Sequence, residues 1–480
     1  MGQRPSMDGP GSEGRRTLHR SGAMLGMFGI FGALALLLTL LAGCAMPPLP
    51  DSVPAQSCVG QRHGTLGAGG VIVPLTALDP TSANHTSALY GVRANDGAIA
   101  WSCASTTYAG WDDAQMNNGV LYAIAGTEPT KDAPARTHVH AIYAIRPRDG
   151  AQLWSFSFRA GSTSRFAFDG GLIFVAATST DGASNHSNLY AVYEATGKLA
   201  WDASFGDTIG QPVIVSHRIL VPSARTTGQV LLAIDESEGS TDWSVTLPEN
   251  GPPASWQTQG SDVYLSDGGA LIAIDGASGA IRWTQQAVDS VSSPLFSAQR
   301  AILFSARMSV LSFDTRTGAL RWSAILGAQP QLVAVRGQVA YALTQGSDGL
   351  PNALFALDVS TGDVLWQRSV SGAGVITPEP TGGADLTSLN DATGTLKLAS
   401  VVSLDPHGRA RWTYKGTSPY LEGALIPTSA ALYYVWQGAP GGDTPLATYV
   451  TSLRPTNGAA QWTTALPALN AYTLPPLLAP

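Results

Sequence analysis

The chain has 480 residues, enough for two or three ordinary hydrophobic cores or for one large repeat architecture. Hydrophobic residues make up 44% of it, which excludes a wholly disordered chain. Charged residues make up only 13%, and this low share, with 53 Gly and 31 Pro, excludes coiled coils and favours a turn-rich β protein. The formal net charge of −7, with no Lys/Arg cluster beyond the amino terminus, predicts that the chain binds no nucleic acid.

The amino terminus has the layout of a secretory signal. A basic group that ends at Arg20 precedes the uncharged run Ser21–Gly43, as is typical of such signals. The run ends in Leu41-Ala42-Gly43-Cys44, which resembles the lipobox of bacterial lipoproteins. That resemblance implies that residues 1–43 are a cleaved lipoprotein signal peptide and that Cys44 carries a fatty acid such as palmitate. An uncleaved membrane anchor is the alternative, because about 20 apolar residues can also span a bilayer.

Either interpretation places the rest of the chain outside the cytoplasm, anchored to a membrane. Residues 44–70 begin with four Pro within eight positions and are predicted to form an extended Pro/Gly-rich tether. The glycine-rich stretch Gly64–Gly70 lacks the flanking strand and helix of a dinucleotide-binding site. We therefore expect it to be a flexible lead into the first repeat.

One repeat fills residues 71–480. A Gly followed four residues later by a Trp recurs nine times, with 39 to 53 residues between successive Trp. In each copy a short apolar strand leads into a turn, as Leu271–Ile274 leads into Asp275–Gly279, and a second strand follows. The Gly supplies the positive φ of a short hairpin loop. The nine pairs are Gly97/Trp101, Gly150/Trp154, Gly197/Trp201, Gly239/Trp243, Gly279/Trp283, Gly318/Trp322, Gly362/Trp366, Gly408/Trp412 and Gly458/Trp462.

Further apolar segments upstream of most hairpins give four strands in each 40–50 residues, the size of one propeller blade. The pattern resembles the quinoprotein-type (PQQ-like) repeat, whose outer hairpin carries Ala-x-Asp-x-x-Thr-Gly-x-x-x-Trp, and Asp358–Trp366 is a near-complete match. The resemblance implies an all-β fold, a single β-propeller of four-stranded antiparallel blades with structural Trp side chains packed between them. Eight blades is the usual number in this family, so eight are expected, although nine hairpins are counted. The first hairpin then either forms a partial blade completed by strand material after Trp462 or lies as an extra hairpin on the rim.

The resemblance also raises an enzymatic alternative, a quinone (PQQ)-dependent dehydrogenase. Dehydrogenases of this fold resemble one another in a Ca²⁺ site, a catalytic Asp and, in many members, a vicinal disulfide beside the cofactor. This chain has no Cys-Cys pair and no Cys-x-x-Cys-His haem motif. It also lacks a Gly-x-Ser-x-Gly elbow, a His-Glu-x-x-His motif and a P-loop. We therefore expect no catalytic residues, no PQQ or Ca²⁺ cofactor and no metal site.

Three other segments hold residues that could carry chemistry. His138 and His140 would face the same way in a strand and could share a metal, but no third ligand is evident, so we expect an ordinary exposed strand. Asp112 and Asp113 are predicted to lie in a solvated loop. Thr377–Thr395 is the longest irregular segment, and it is predicted to form a loop on one propeller face, where partner contacts usually lie.

Cys58 and Cys103 are predicted to form a disulfide. Once Cys44 is lipidated, two cysteines remain in an oxidising compartment, where paired thiols are favoured. Two buried free thiols are the alternative.

These features together predict a non-enzymatic, monomeric scaffold whose face loops bind other envelope or surface proteins. A propeller holds many loops in place at low entropic cost. With its lipobox, the chain resembles the propeller lipoproteins of the outer-membrane β-barrel assembly machinery, which implies a role in envelope protein assembly. The PQQ-dependent dehydrogenase remains the alternative. A ligand-sensing ectodomain is a third class, but the chain shows no signalling domain.

Overall fold

The computed structural model is built from antiparallel strands that alternate with tight turns. The residues it describes are 60–77, 87–104, 110–126, 139–181, 184–225, 228–247, 255–267, 270–286, 292–305, 308–344, 346, 352–370, 374–379, 383–390, 396–438, 447–469 and 471–480.

The first half of the strands builds four blades and the start of a fifth. They are β1 (Val71–Ala77), β2 (Ala88–Val92), β3 (Ile99–Ala104), β4 (Gly110–Asn117), β5 (Val120–Gly126), β6 (Val139–Arg146), β7 (Ala151–Arg159), β8 (Ser162–Thr163), β9 (Ala167–Asp169), β10 (Leu172–Asp181), β11 (Ser184–Tyr193), β12 (Leu199–Phe205), β13 (Thr208–Ile209), β14 (Val213–Val215), β15 (Arg218–Arg225), β16 (Gly228–Asp235), β17 (Thr241–Thr246), β18 (Ser255–Gln259) and β19 (Asp262–Asp267).

The second half completes the ring and returns to the first blade. These strands are β20 (Ala270–Asp275), β21 (Ile281–Gln286), β22 (Leu295–Ser297), β23 (Arg300–Ser305), β24 (Ser309–Asp314), β25 (Leu320–Ile325), β26 (Pro330–Arg336), β27 (Val339–Thr344), β28 (Ala353–Asp358), β29 (Val364–Ser369), β30 (Ile376–Pro378), β31 (Ala384–Asn390), β32 (Leu396–Leu404), β33 (Ala410–Pro427), β34 (Leu432–Gly438), β35 (Ala447–Leu453), β36 (Ala460–Leu469), β37 (Ala471–Thr473) and β38 (Leu477–Leu478).

The described strands form nine blades, so the expectation of eight is wrong. Blades 2 to 7 are separate sheets, and in each the Trp-bearing strand is the last, at one edge. Blades 8 and 9 are joined in one seven-stranded sheet, because the 18-residue β33 pairs with β32 through its first part and with β34 through its second. The expected number rested on what is usual in the family, whereas each of the nine hairpins has its own complete set of partner strands.

The first blade is completed by the carboxyl-terminal end of the chain. Its strand order is β3-β2-β1-β37, and Leu75 and Ala77 of β1 pair with Thr473 and Ala471 of β37. This is the first of the two alternatives that the sequence left open for the first hairpin. Because β37 fills the place that the first strand takes in other blades, the two ends of the chain close the ring in one sheet.

The first strand of each blade lies toward the axis of the ring. Contacts between neighbouring blades join β9 to β14, β22 to β26 and β26 to β30, all of them first strands. The Trp-bearing fourth strands therefore lie at the outer edge, and in blades 2 to 7 they pair with no described strand on their other side.

The hydrophobic core lies between the blades. Among the described residues it divides into nine clusters, one at each junction of neighbouring blades. The cluster that joins the ninth blade to the first contains Val73 and Tyr90 of one blade and Tyr433 and Val450 of the other. Third strands are buried on both faces, as Leu271–Ile274 shows, because each sheet packs against a neighbour on either side.

The segment that leads into β1 packs on the first blade. Arg62 forms an isolated antiparallel bridge with Trp101, and Leu66 is buried. Leu66 also donates its backbone N–H to the carbonyl of Arg148 in the second blade, at 2.8 Å.

No helix within the described ranges is long and apolar enough to cross a membrane.

Candidate functional site

The hairpin turns of blades 4 to 8 are each organised by an aspartate at the start of the turn and a glycine at its end. In the fifth blade, Oδ1 of Asp275 accepts hydrogen bonds from the backbone N–H groups of Ala277 and Ser278, at 3.0 and 2.9 Å. Gly279 has φ of +73°, a conformation that side chains other than glycine's rarely adopt. The turn thus fixes the direction of β21, the strand that follows it, relative to β20.

Each repeat Trp packs on the repeat Gly of the next blade. A Cβ added to Gly318 would come within 2.7 Å of the Trp283 indole, so only glycine leaves room for the ring. In eight of the nine repeats the indole N–H also donates to a backbone carbonyl in the next blade's turn. The donor and acceptor pairs are Trp101/Pro147, Trp154/Glu194, Trp201/Glu236, Trp283/Thr315, Trp322/Val359, Trp366/Pro406, Trp412/Pro455 and Trp462/Ala94.

Three consecutive blades expose apolar side chains on their outer strands. We call this set the apolar rim: Ile281 on β21, Leu320 and Ile325 on β25, and Val364 and Leu365 on β29. Ile325 is 80% exposed and the other four are 42–52% exposed. Ile281, Leu320 and Val364 occupy one repeat position, two residues after the turn Gly, so the repeat itself aligns them on neighbouring blades.

The backbone of the same three strands has a free edge. In the described part of the chain β21 pairs with β20, β25 with β24 and β29 with β28, and none of them pairs on its other side. Unpaired N–H and C=O groups on an edge strand can accept an extended segment from another chain. Exposed apolar side chains that are grouped on neighbouring blades are likewise typical of interaction sites.

Two arginines beside the apolar rim are paired with aspartates of their own blades. Arg282 lies 2.6 Å from Asp275 and 3.0 Å from Asp262, and Arg321 lies 2.5 Å from Asp314. These arginine hydrogen bonds are the largest cause that lowers the pKa values of Asp275 and Asp314 to about 2. The rim can bind by apolar burial and backbone pairing.

The cysteines predicted for lipidation and for the disulfide are only partly described. Cys44 and Cys58 lie outside the described residues. Cys103 is completely buried in β3 and is disulfide-bonded. The pairing of Cys103 with Cys58 and the lipidation of Cys44 stay predictions.

The aspartates predicted for a solvated loop lie instead in β4. Asp113 is only 4% exposed, and its Oδ2 accepts from the Gln115 side chain at 2.7 Å and from the backbone N–H of Phe166 at 3.1 Å. Asp112 lies 3.2 Å from Nε2 of His140, which is itself buried rather than exposed. The loop prediction is wrong for both residues, because they lie in a strand that joins the second blade to the third, and the prediction of solvation is wrong for Asp113 but holds for the Asp112 side chain. His138 lies outside the described residues.

The segment predicted to form a long face loop contains strands of the eighth blade. Pro378 ends β30, and Ala384–Asn390 is β31, the second strand of that blade. The described part of this segment is therefore largely strand rather than loop, while Pro380, Gly382 and Gly394 lie outside the described residues.

A metal could be held at one place in the part of the chain that the structure describes. Asp169, His217 and Glu236 form the one described group of three potential ligands, with ligand atoms within 4.8 Å of one another. They lie at the junction of the third and fourth blades. No spacing in the sequence predicted this group, because its members come from three separate turns.

Fold and repeat together define a closed nine-bladed propeller of the PQQ-like class. The family described as "Outer membrane protein assembly factor BamB" matches residues 139–267, 258–404 and 349–473. These segments together span well over half of the chain, and the chain belongs to this family.

Two curated relatives illustrate the range of proteins that the chain resembles. Tetrathionate hydrolase of Acidithiobacillus ferrooxidans is 22% identical over 294 residues, 58% of this chain and 53% of that protein. Outer membrane protein assembly factor BamB of Moranella endobia is 23% identical over 205 residues, 39% of this chain and 50% of that protein. The chain thus spans about half the length of the curated relatives it matches.

Solved structures with a similar arrangement of strands share little sequence with the chain. BamB from Moraxella catarrhalis has a TM-score of 0.46 and 16% identity, over 70% of this chain and 92% of that one. The dihydro-heme d1 dehydrogenase NirN has a TM-score of 0.49 and 12% identity, over 75% of each chain.

Proposed function

We propose that the chain is a membrane-anchored, extracytoplasmic scaffold that binds other envelope proteins and takes part in their assembly. The apolar rim carries this proposal, because exposed apolar side chains and free strand edges coincide on three consecutive blades. A partner segment that pairs with one edge strand would place its side chains against Ile281, Leu320 or Val364. Family membership agrees with this role, since the family's description names an outer membrane protein assembly factor.

The attachment to the membrane rests on the lipobox. Lipidated Cys44 would hold the propeller at the membrane through the Pro-rich segment that follows it. Cys44→Ser removes the acylated thiol, so we expect fatty-acid labelling of the protein to disappear. Labelling that survives the substitution would contradict a lipid anchor at this residue.

The scaffold role is tested by substituting the rim and a matched position elsewhere. Leu320→Lys and Val364→Lys each put a charge on the rim, whereas Thr241→Lys puts the same charge at the same repeat position of the fourth blade. Thr241 is exposed and polar, so its variant controls for added charge on an outer strand.

The measurement is cross-linking of each variant in living cells, followed by identification of the envelope proteins attached to it. We expect the unmodified chain and Thr241→Lys to cross-link the same proteins, and both rim variants to lose them. Partners that remain on the rim variants, or that are lost equally from Thr241→Lys, would overturn the proposal.

We further propose that the scaffold acts without an enzymatic activity of its own and without PQQ or Ca²⁺. The test is reconstitution of the purified chain with Ca²⁺ and PQQ and an assay of dye reduction with alcohols and sugars. We expect no turnover above that of the cofactor alone, and turnover that needs the folded chain would support the dehydrogenase alternative instead.

A further inference from the structure

The turns that join the first to the second strand of a blade, and the third to the fourth, lie on the same face of the ring. In each antiparallel blade the turn between the first and second strands lies at the same end as the turn between the third and fourth strands. At the junction of the third and fourth blades these turns bring together Asp169, which ends β9, His217, which lies between β14 and β15, and Glu236, which follows β16. All three side chains thus come from the rigid ends of paired strands.

The distances within this group match those of a metal coordination sphere. Nδ1 of His217 lies 3.2 Å from Oδ2 of Asp169 and 3.3 Å from Oε1 of Glu236. Ligand atoms bound to a tetrahedral Zn²⁺ at about 2.0–2.1 Å lie about 3.3 Å from one another. The contact between His217 and Asp169 is a hydrogen bond in the absence of an ion, and all three ligand atoms lie within 4.8 Å of one another, close enough for one ion to take the place of that bond.

The neighbouring junction offers an internal comparison. There Glu194, the counterpart of Glu236, accepts hydrogen bonds from the side-chain amides of Asn117 and Asn118, at 3.0 and 3.4 Å. Asn117 occupies the repeat position of Asp169, because both end the strand before the first turn of their blade. Replacing the amide donor by a carboxylate leaves two like charges facing each other. A cation removes that repulsion.

The backbone of Glu236 is fixed by a hydrogen bond, whereas one oxygen of its carboxylate has no hydrogen-bond partner among the described residues. Its carbonyl accepts the indole N–H of Trp201 at 2.9 Å, which fixes the residue to the preceding blade. Its side chain is 22% exposed, and its Oε2 is buried with no hydrogen-bond partner among the described residues. His217, by contrast, is 81% exposed, so an ion could enter from solvent and keep a bound water.

We propose that Asp169, His217 and Glu236 bind one divalent transition-metal ion of the zinc type, which clamps the third blade to the fourth. An imidazole nitrogen with two carboxylates suits Zn²⁺ or Co²⁺. Ca²⁺ and Mg²⁺ prefer ligand sets made of oxygen alone. This site is independent of the apolar rim and of the scaffold role, since it lies on different blades.

The test is calorimetric titration of the metal-stripped, untagged full chain with ZnCl₂, alongside the absorption spectrum with CoCl₂. We expect one ion per chain and the intense visible bands of a low-symmetry Co²⁺ site. His217→Asn should lower the affinity at least about tenfold, since even loss of a group that only orients a ligand costs 10–100-fold. Asn also tolerates the φ of +58° found at His217, so the turn is kept.

Two variants serve as matched controls. Glu194→Gln changes the corresponding carboxylate at the neighbouring junction, and His407→Ala removes another exposed histidine from a turn. Both should keep the affinity of the unmodified chain. Absence of binding at 1 mM metal, binding that His217→Asn leaves unchanged, or equal losses in the controls would each overturn the proposal.

Discussion

The indole of Trp462, in the ninth blade, lies against Gly97, in the first. A Cβ added to Gly97 would come within 2.5 Å of the ring, and the indole N–H donates to the carbonyl of Ala94 at 3.0 Å. Thr464 adds a hydrogen bond from its hydroxyl to the carbonyl of Gly97, at 2.5 Å. The same Trp–Gly contact is found at the other junctions between blades. The ninth blade therefore packs on the first in the way that each blade packs on the next, and this contact closes the ring.

Gly97→Ala is therefore expected to weaken ring closure. Gly119→Ala is the matched control, because Gly119 has a similar φ of +76° but nothing within 4 Å of an added Cβ. Strain at positive φ should cost the control about 1 kcal/mol in the free energy of unfolding, and Gly97→Ala should cost more, because Trp462 must also move. Urea denaturation measures both, and equal losses would contradict the closure contact.

The outer hairpins of this fold could be predicted from the sequence, because they repeat. The pairing of strands that are far apart in the chain could not. Asp, Gly and Trp recur within nine residues, so local turn chemistry and spacing reveal the outer hairpins. The inner strand β37 is three residues long, has no motif and pairs with β1 almost 400 positions away. The sequence left open whether such a strand completes the first blade, and the expected eight was wrong because it followed the usual number in the family rather than the nine hairpins.

The same difference between repeated local features and contacts of distant segments applies to the candidate sites. Ile281, Leu320 and Val364 share a repeat position, so the apolar rim can be read from the sequence once the outer strands are known to be exposed. Asp169, His217 and Glu236 lie in separate turns, and only the packing of two blades brings them together. Asp113 was predicted to be solvated because nothing local shows that Phe166 of the next blade supplies it with a hydrogen bond.

One repeat Trp lacks the interblade hydrogen bond. Nε1 of Trp243 is buried and has no partner among the described residues, whereas Nε1 of Trp322 donates to the carbonyl of Val359 at 2.9 Å. Trp322→Phe and Trp243→Phe remove similar volumes, but only the first breaks a hydrogen bond. We expect Trp322→Phe to cost roughly 1 kcal/mol more in the free energy of unfolding, and equal costs would show that the bond contributes nothing.

A buried carboxyl group in the eighth blade should make stability depend on pH. Asp385 is 3% exposed, and burial raises its pKa to about 6, although Ser403 and Arg411 act against the shift. Between about pH 4 and 6 the folded chain therefore holds a proton that the unfolded chain has lost. The contribution of Asp385 to the free energy of unfolding therefore falls as the pH rises from about 4 to 6, by roughly 2 kcal/mol.

Asp385→Asn is expected to remove that part of the pH dependence and to raise stability at pH 7. Asp363→Asn, a change at an exposed aspartate, serves as the control. The urea midpoints of the three chains are compared at pH 4, 5, 6 and 7. If the Asp385→Asn profile keeps the slope of the unmodified chain, the folded protein does not hold the proton at this group.

The disulfide of Cys103 should tie the segment before β1 to the first blade. Gly60 lies against the outer strand, where an added Cβ would come within 3.5 Å of the Cα of Cys103, and Ser102 donates its N–H to the carbonyl of Gln61 at 3.0 Å. Cys58 is two residues before Gly60 in the chain, so it is the cysteine we expect in the bridge. The bond would close a 45-residue loop and contribute roughly 3–4 kcal/mol by the chain-entropy argument.

Mass spectrometry of a non-reduced digest, after free thiols are blocked, identifies the partner of Cys103. We expect a linked peptide that contains Cys58 and Cys103, retained in Cys44→Ser and absent in Cys58→Ser. Cys58→Ser should also lower the urea midpoint to that of the unmodified chain under reducing conditions, because both lack the same cross-link. A linked peptide that survives Cys58→Ser and disappears in Cys44→Ser would assign the bridge to Cys44 and exclude lipidation of that thiol in the same molecule.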